Sequence, residues 1–593
     1  MIMKTGSKSL LYFIVPALAY LALAAFVTNS YYQLMLTLIL IWAIFGLSWN
    51  ILSGYTGLIS FGHAAFFGAG AFATVLAQIY WSITPWVMFF ASGVIGAVLG
   101  VAIGFPTFRL RGHYFALSML AYPLAFMYVF LWLGFPEVSV PRVHDNPAAY
   151  MQFSDGRVYT LIAMAFLIVV VLLSRKIESS RFGMALIAIK QNEAAAEAAG
   201  IDSLRWKLRA IAVSGAIAAM AGSLYAVVIL VITPQSVFGM LVSAQALTVA
   251  MFGGIGTFWG PIIGAGFLIP IAEILHAELG SILPGIQGVV YGVAIVVLIT
   301  LAPEGMFWKV RDWMGSARKK GETATRLETQ PMDEIAVEPR KFTPASDGAD
   351  IVLDVRGMSK NFGGLKAVQD VSFQVRRGMI LGIIGPNGAG KTTLFNLLNG
   401  FQTPTSGQVF VNGKDMARSK PHVLCRAGVG RTFQIMRPFT RMSVRDNVRT
   451  GAYVRAGSEA EAAEVADDAL RQVGLSAIAE QLAGELTTKE LRLMELARAL
   501  AGKPHTLLLD ETLAGLGRDE AAEVVAVIRR LSASGMTVAI IEHTMQAMVQ
   551  LVDRFLVLDH GQVIMEGAPE EVTKNPHVIE AYLGKKWSAH AED

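Results

Sequence analysis

Long apolar runs fill the first half of the chain and give way to short ones in the second. Runs long enough to cross about 30 Å of hydrocarbon recur at 9–28, 31–52, 56–80, 84–108, 114–135, 158–174, 206–231, 240–258, 261–277 and 285–302. They predict about ten membrane-spanning helices. Gly253-Gly254-Ile255-Gly256 and Gly260-Pro261 interrupt two of these runs and predict broken or re-entrant segments, tolerated at membrane depth only where the backbone lines a cavity or is buried in protein. From about Pro303 to Asp350 the chain is rich in Lys, Arg, Glu, Thr, Ser and Pro without apolar periodicity, the pattern of a linker. Beyond Ile351 short apolar runs at 379–384, 506–509 and 537–541 predict buried parallel strands, with helical stretches between them. The predicted fold class is therefore a polytopic α-helical membrane domain at 1–303, a linker at 304–349 and a soluble α/β domain at 350–593.

Composition sharpens this division. The chain is 54% hydrophobic and only 16% charged, and the charges gather in the C-terminal half, so the N-terminal half must lie in lipid. A net charge of +4 is small for this length and argues against a nucleic-acid partner. The single cysteine, Cys425, excludes an intramolecular disulfide and reads as a buried structural thiol. The basic start, Met1 to Lys8, is followed by an apolar run with no small-residue cleavage site, which predicts a retained first span. Lys4, Lys8, Arg109, Arg111, Arg175, Lys176, Arg181, Lys190, Arg205, Lys207, Lys309 and Arg311 all fall on the cytoplasmic side if the N-terminus lies inside. The loop Pro136 to Tyr159 then faces outward. The expected location is the cytoplasmic (inner) membrane, multi-pass, with both termini, the linker and the α/β domain in the cytoplasm.

The most informative stretch of the soluble half is Met379 to Gly400. A short apolar strand leads into Gly385-Pro386-Asn387-Gly388-Ala389-Gly390-Lys391-Thr392, followed by an amphipathic helix, which is the order and spacing of a P-loop. Glycines let backbone N–H groups turn inward around phosphate oxygens, and the helix N-terminus adds partial positive charge. Gly385, Asn387, Gly388, Gly390, Lys391, Thr392 and Thr393 are the candidate nucleotide-binding residues. Lys391 would reach the β- and γ-phosphates and Thr392 would hold Mg²⁺. The pattern predicts binding of ATP or GTP.

Other stretches resemble a known family. Ser53-Gly54-Tyr55-Thr56-Gly57 through Gly62-His63 to Gly68-Ala69-Gly70, and Arg109-Leu110-Arg111-Gly112-His113-Tyr114-Phe115-Ala116, resemble the membrane permeases of branched-chain amino acid transporters. Met251 to Pro261 is similar to the second glycine-rich region of the same family. Glycines in spans also serve simply to let helices pack closely. His63 sits in an apolar run, where ionisable groups are costly and commonly line a pathway; the competing reading is a histidine satisfied by a bond to a neighbouring helix's carbonyl. Arg181 to Gly200, with Glu193 and Glu197 among alanines and a glycine suited to end a helix, resembles the coupling loop of ABC importers. That resemblance implies that Glu193 and Gly200 sit in a groove of the ATPase.

Around the P-loop the remaining parts of an ATP-binding cassette follow in order. Arg431-Thr432-Phe433-Gln434 resembles the Q-loop, Leu507-Leu508-Leu509-Asp510-Glu511 the Walker B strand, Ala514-Gly515-Leu516-Gly517 the D-loop and Ile541-Glu542-His543 the switch histidine. Phe362 occupies the place of the adenine-stacking aromatic. The tail from Gly561 to Val572 and Val578 to Gly584 is similar to branched-chain amino acid ATPase subunits. The resemblance implies ATP with Mg²⁺ held by Thr392, Gln434 and Asp510. It makes Glu511 the general base, Gln434 a sensor of the γ-phosphate or metal, and His543 a bridge between Glu511 and the γ-phosphate.

One departure stands out. Where the family carries Leu-Ser-Gly-Gly-Gln, this chain has Leu486-Thr487-Thr488-Lys489-Glu490. Two glycines are missing and a negative charge is added beside a partner's polyanionic ligand, with Lys489 offsetting it in part. Thr512 replaces the proline that usually follows the catalytic glutamate. The resemblance implies a fused permease and ATPase subunit of an ABC importer of branched-chain or other small amino acids. It implies a second permease and a second ATPase, in a heteromeric assembly rather than a homodimer, and an extracytoplasmic solute-binding protein. The alternatives are import of urea, amides or small carboxylic acids, or an ATP-gated membrane protein without transport-coupled hydrolysis.

Overall fold

A computed structural model describes residues 7–301 and 351–583, apart from Arg111, Gly280, Pro284 and His543. Arg111, the expected linker, the switch histidine and Gly584 therefore lie outside the described residues. The chain divides into two compact units. One holds the described residues of 7–190 and 203–301; the other holds Gln191–Asp202 with those of 351–583.

The first unit is helical. Its elements are α1 (Ser7–Phe26), α2 (Ser30–Trp49), α3 (His63–Trp81), α4 (Pro85–Thr107), α5 (His113–Trp132), α6 (Arg157–Glu178), most of α7 (Arg181–Gln191), α9 (Ser203–Ile229), α10 (Pro234–Phe238), α11 (Met240–Gly253), α12 (Trp259–Leu279) and α13 (Ile286–Leu301). Among the described residues, eight helices are long and apolar enough to cross a membrane, and shorter apolar helices at Ile14–Phe26 and Gly288–Val297 occupy the first and last expected spans. The inner helix is α2, buried from Leu36 to Trp49 and packed on α6, α9, α11 and α12.

Small residues set the closest crossings. A Cβ at Gly70 would strike the Ala219 carbonyl, one at Gly96 the Gly215 carbonyl, and one at Gly222 the Phe67 carbonyl. α3 and α4 thus approach α9 backbone to backbone, the packing that glycine makes possible in lipid. The interruption expected at 253–261 takes a different form. α10 and α11 break at Gly239 (φ −57°, ψ 152°), whereas 254–258 is a loop between two helices. Asn50 holds that loop, donating from Nδ2 to Thr257 O (3.0 Å) and accepting from Gly256 N–H at Oδ1 (2.8 Å). Side-chain partners thus satisfy backbone that helical bonding has released. Pro261 lies in the first turn of α12, where its missing N–H costs nothing.

His63 is fully buried and bonded on both ring nitrogens, to Ser60 Oγ and Ser214 Oγ at 2.8 Å each. Ser214 Oγ donates to Ser48 O (2.6 Å), so the ring must carry its proton on Nε2 and accept from Ser60 at Nδ1. The ring's hydrogen-bonding capacity is met, by hydroxyls rather than by a carbonyl.

The second unit contains two sheets. Strands β3 (Ile351–Phe362), β4 (Leu365–Arg376), β6 (Ser406–Val411) and β7 (Lys414–Asp415) form an antiparallel sheet in the order β4-β3-β6-β7; β1 (Val138–Ser139) and β2 (Val231–Ile232) are a minor pair in the helical unit. Strands β5 (Ile380–Ile384), β8 (Val429–Arg431), β9 (Thr506–Asp510), β10 (Thr537–Ile541), β11 (Arg554–Asp559) and β12 (Gln562–Gly567) form the second sheet, in the order β12-β11-β5-β10-β9-β8. β8 through β11 and β5 run parallel, and β12 closes the edge antiparallel to β11. Every residue of β5, β9 and β10 is buried, as expected for strands covered on both faces. The helices of this unit include α14 (Lys391–Leu398), α15 (Pro421–Arg426), α16 (Val444–Ala452), α17 (Glu459–Gln472), α18 (Thr488–Ala501) and α19 (Arg518–Ala533), of which α16, α17 and α18 pack on one another. Leu381, Ile383, Leu394, Phe395, Leu508, Ala539 and Leu556 share one core with Val355, Val371 and Val409 of the antiparallel sheet.

Candidate nucleotide site

The carboxyl ends of adjacent parallel strands meet in one place, where ligands bind in open α/β sheets. β5 runs into Gly385–Gly390, β8 into Thr432–Gln434, β9 into Asp510 and Glu511, and β10 into Glu542. The backbone turns at Gly388 (φ +85°) and Gly390 (φ +98°), conformations glycine adopts without a Cβ penalty. Gly390 caps α14 with no side chain over the helix end. The first-turn N–H groups therefore lack a side-chain cap, the condition for an anion site.

Lys391 Nζ spans this loop, donating to the carbonyls of Gly385 (2.6 Å) and Pro386 (2.9 Å). Burial pulls its pKa down, while the charges of Glu511 and Asp510 oppose that shift. Asn387, Gly388 and Thr392 are exposed, and Thr393 is half-buried. Phe362 stands at the end of β3, beside the β3–β4 turn, with 46% of its surface exposed and Lys360 Nζ 5.1 Å from its ring centre. An exposed ring there is free to stack.

Asp510 is fully buried. Its Oδ2 accepts from Arg431 Nη2 at 3.1 Å, while Oδ1 has no hydrogen-bond partner. Burial pushes the carboxyl pKa up and the Arg431 guanidinium draws it back. A buried carboxylate oxygen without a donor is costly, and a carboxylate and a hydroxyl such as those of Asp510 and Thr392 are hard-oxygen donors whose chemistry fits Mg²⁺. Glu511 has a left-handed backbone (φ +48°), held by its N–H bonding to Ile541 O (2.9 Å). Such a conformation is uncommon outside glycine and gathers at functional sites. Thr512, in place of the usual proline, is buried, with its hydroxyl 3.3 Å from that of Thr432.

Sequence reasoning missed how the loops are held. Arg492 on α18 donates to Phe433 O (2.9 Å) and Ala514 O (3.3 Å), so one side chain ties the Q-loop to the D-loop. Glu495 accepts from the Arg437 N–H (2.6 Å) and from Arg498 (3.1 Å), and Arg498 also donates to Arg437 O (3.0 Å). Burial pushes Glu495 up and Arg498 down in pKa, and each charge opposes the other's shift. Glu542 accepts from the Leu513 N–H (2.6 Å). Arg492 and Arg498 lie six residues apart and Glu495 midway, which puts charge on the core side of an otherwise apolar helix; that was the available signal. Gln434 itself is exposed.

The degenerate signature sits at the start of α18. Leu486 and Thr487 precede the helix, and Thr488, Lys489 and Glu490 form its first turn. Glu490 Oε2 folds back to accept from the Thr487 N–H (2.7 Å) and hydroxyl (2.8 Å), closing a capping box. Lys489 pairs with Glu523 of α19 at 2.9 Å.

The segment Gln191–Asp202, expected from the resemblance to be a coupling loop, belongs to this same unit. It contains α8 (Glu193–Ala198), capped by Asn192 Oδ1 on the Ala195 N–H (2.9 Å). Gln191 Oε1 accepts from the Arg441 N–H (3.0 Å), and Asp202 lies 3.5 Å from His422 Nε2. Gly200 (φ +84°) is buried, and a Cβ there would press on Val454 and lie 3.3 Å from Cys425 Sγ. Glu193 is exposed. Cys425 is buried, which pushes its thiol up to about 12. These contacts fall on His422, Cys425, Arg441 and Val454.

Comparison with known proteins follows this division. Residues 31–299 match the family described as branched-chain amino acid transport system / permease component. Residues 368–514 match the ABC transporter family, and 562–587 match the branched-chain amino acid ATP-binding cassette transporter family. The high-affinity branched-chain amino acid transport ATP-binding protein BraF of Pseudomonas aeruginosa is 38% identical over 252 residues, covering 40% of this chain and 98% of BraF. The chain belongs to the branched-chain amino acid ABC transporter family. LivG of Escherichia coli K12, a protein of the same description, is 36% identical over 40% of this chain and 98% of its own length. A crystal structure of a nucleotide-free ATP-binding cassette from an ABC transporter covers 40% of this chain and all of that one, at 32% identity and a TM-score of 0.37. This family member joins a permease to an ATPase in one polypeptide, and its cassette binds ATP and hydrolyses it to drive transport. The apolar helices make it a multi-pass protein of the inner membrane.

Proposed function

We propose that this chain is the fused permease and ATPase subunit of an importer of branched-chain or other small amino acids. The observation that carries the reading is the order on one polypeptide: a permease match at 31–299, then a cassette match at 368–514 with Lys391, Asp510 and Glu511 at the carboxyl ends of the parallel strands. The permease extends over 1–303, the cytoplasmic linker over 304–349 and the ATPase over 350–593.

In this reading Phe362 stacks on the adenine, and Gly385, Asn387, Gly388, Gly390, Lys391, Thr392 and Thr393 surround the phosphates. Thr392, Asp510 and Gln434 would hold Mg²⁺, which would supply positive charge against the phosphates. Glu511 takes the proton of the attacking water and His543 orients the γ-phosphate. ATP binding closes the ATPase pair, and the segment with Glu193 and Gly200 carries that movement to the permease. The partners are a second permease, a second ATPase and an extracytoplasmic binding protein, in a heteromeric assembly; both termini are cytoplasmic.

ATPase activity of the complex in proteoliposomes, with and without the binding protein and candidate solutes, tests this reading. Stimulation by binding protein loaded with a branched-chain amino acid is expected. Stimulation only by urea, amides or carboxylic acids would replace the substrate, and nucleotide binding without turnover would replace the transport mechanism.

A further inference from the structure

Arg431 ends β8, three residues before Gln434, and touches three parts of the nucleotide site. Its Nη1 donates to Asn396 Oδ1 on the P-loop helix α14 (2.8 Å), its Nη2 to Asp510 Oδ2 (3.1 Å) and its Nε to Thr432 O (3.2 Å). The Phe401 and Phe433 ring centres lie 5.4 and 5.0 Å from the guanidinium carbon. Only 6% of the arginine side chain and 1% of the aspartate side chain are exposed. A planar fork held beside two aromatic rings fixes direction as well as charge, which a lysine ammonium does not.

The two carboxylate oxygens are treated differently. A purely structural ion pair would satisfy both, yet Oδ1 is buried without a hydrogen-bond partner while Oδ2 is bonded to the arginine. The free oxygen points to a ligand outside the chain's own donors. We infer that Arg431 is a positioning residue for the metal. It occupies Asp510 Oδ2, leaves Oδ1 for the divalent cation, and ties that setting to the P-loop helix through Asn396 and to the Q-loop through its own backbone. This rests on the Mg·ATP reading above.

The test separates metal from nucleotide in the full-length chain purified from membranes. Arg431→Met and Arg431→Lys should bind a fluorescent ATP analogue in EDTA within about 2-fold of wild type, because Lys391 and the P-loop are untouched. Mn²⁺ bound with ATP, followed by electron paramagnetic resonance, should weaken by about 10- to 100-fold in Arg431→Met, as for other residues that orient a ligand. Arg431→Lys, which keeps charge but loses the fork, should also bind Mn²⁺ more weakly than wild type, and it serves if the methionine variant does not fold. Combining Arg431→Met with Asp510→Asn should weaken Mn²⁺ no further than Asp510→Asn alone, since both act through the one Asp510 carboxylate. Wild-type Mn²⁺ affinity in either arginine variant, or additive losses in the double variant, would overturn the inference. Wild-type protein that binds ATP but no Mn²⁺ with it would instead overturn the Mg·ATP reading.

Discussion

Two helices of the ATPase unit begin at places where phosphate is expected, and they begin in opposite ways. α14 starts behind Gly390 with no side chain over its end. α18 starts behind Thr487 with its own Glu490 folded over the end. The physics is common to both, since each N-terminus exposes unpaired N–H groups and a partial positive charge. The P-loop helix leaves that end without a side-chain cap, whereas α18 pairs two of its N–H groups through its own capping box and adds a negative charge. Lys489, the cation that would offset Glu490, is drawn away to Glu523. One end is thus left open and the other is capped by its own side chain, which under the proposed function predicts two unequal ATP sites in an assembled transporter.

The largest test of this comparison is Lys391→Ala. It should abolish ATP binding and ATP-driven uptake while membrane insertion is unchanged, because the ammonium lies across the phosphate loop. Uptake at the wild-type rate would remove the functional assignment of α14. A smaller effect is expected from reopening α18. Glycines at Thr488 and Lys489 with Glu490→Gln should raise turnover at the weaker site by about 2- to 5-fold, the scale of a charge at a helix N-terminus. Steady-state ATPase assays would read this, and unchanged turnover would mean that self-capping is not what limits that site. Smallest is Thr487→Ala, which should cost about 1 kcal/mol of stability with nucleotide affinity at Lys391 unchanged. Thermal unfolding and nucleotide titration together check it; a loss of affinity would show that α18 serves this chain's own ATP.

Much of this contrast was legible in the residue order. Glycine and lysine spacing announced α14, and the apolar runs at 379–384, 506–509 and 537–541 coincide with β5, β9 and β10. The apolar stretches of the first half likewise coincide with helices, because a 20-residue apolar run has few alternatives. The antiparallel sheet β4-β3-β6-β7 was not foreseen, since short alternating strands carry a weaker signal than continuous apolar ones. The break at Gly239 escaped notice because a single glycine looks like the many that only let helices pack. Glu490 read as a repulsive charge, although Thr487-Thr488-Lys489-Glu490 is also a capping box; only the fold shows its carboxylate turned onto Thr487. Arg431 was visible as part of a motif, but its bond to Asp510 depends on the parallel pairing of β8 with β9, which no local pattern specifies.

The most direct measurement compares two glutamates in one reconstituted complex: Glu511→Gln in this chain, and the equivalent change in the partner ATPase, each scored by ATP-driven uptake of radiolabelled leucine with binding protein present. Removing a general base costs about 10²- to 10⁴-fold. The account predicts that Glu511→Gln nearly silences uptake while the partner's change costs far less, because in the proposed heteromeric assembly the site built on Lys391, Asp510 and Glu511 would face the partner's signature and the other would face the self-capped α18. Equal losses from the two substitutions would contradict it.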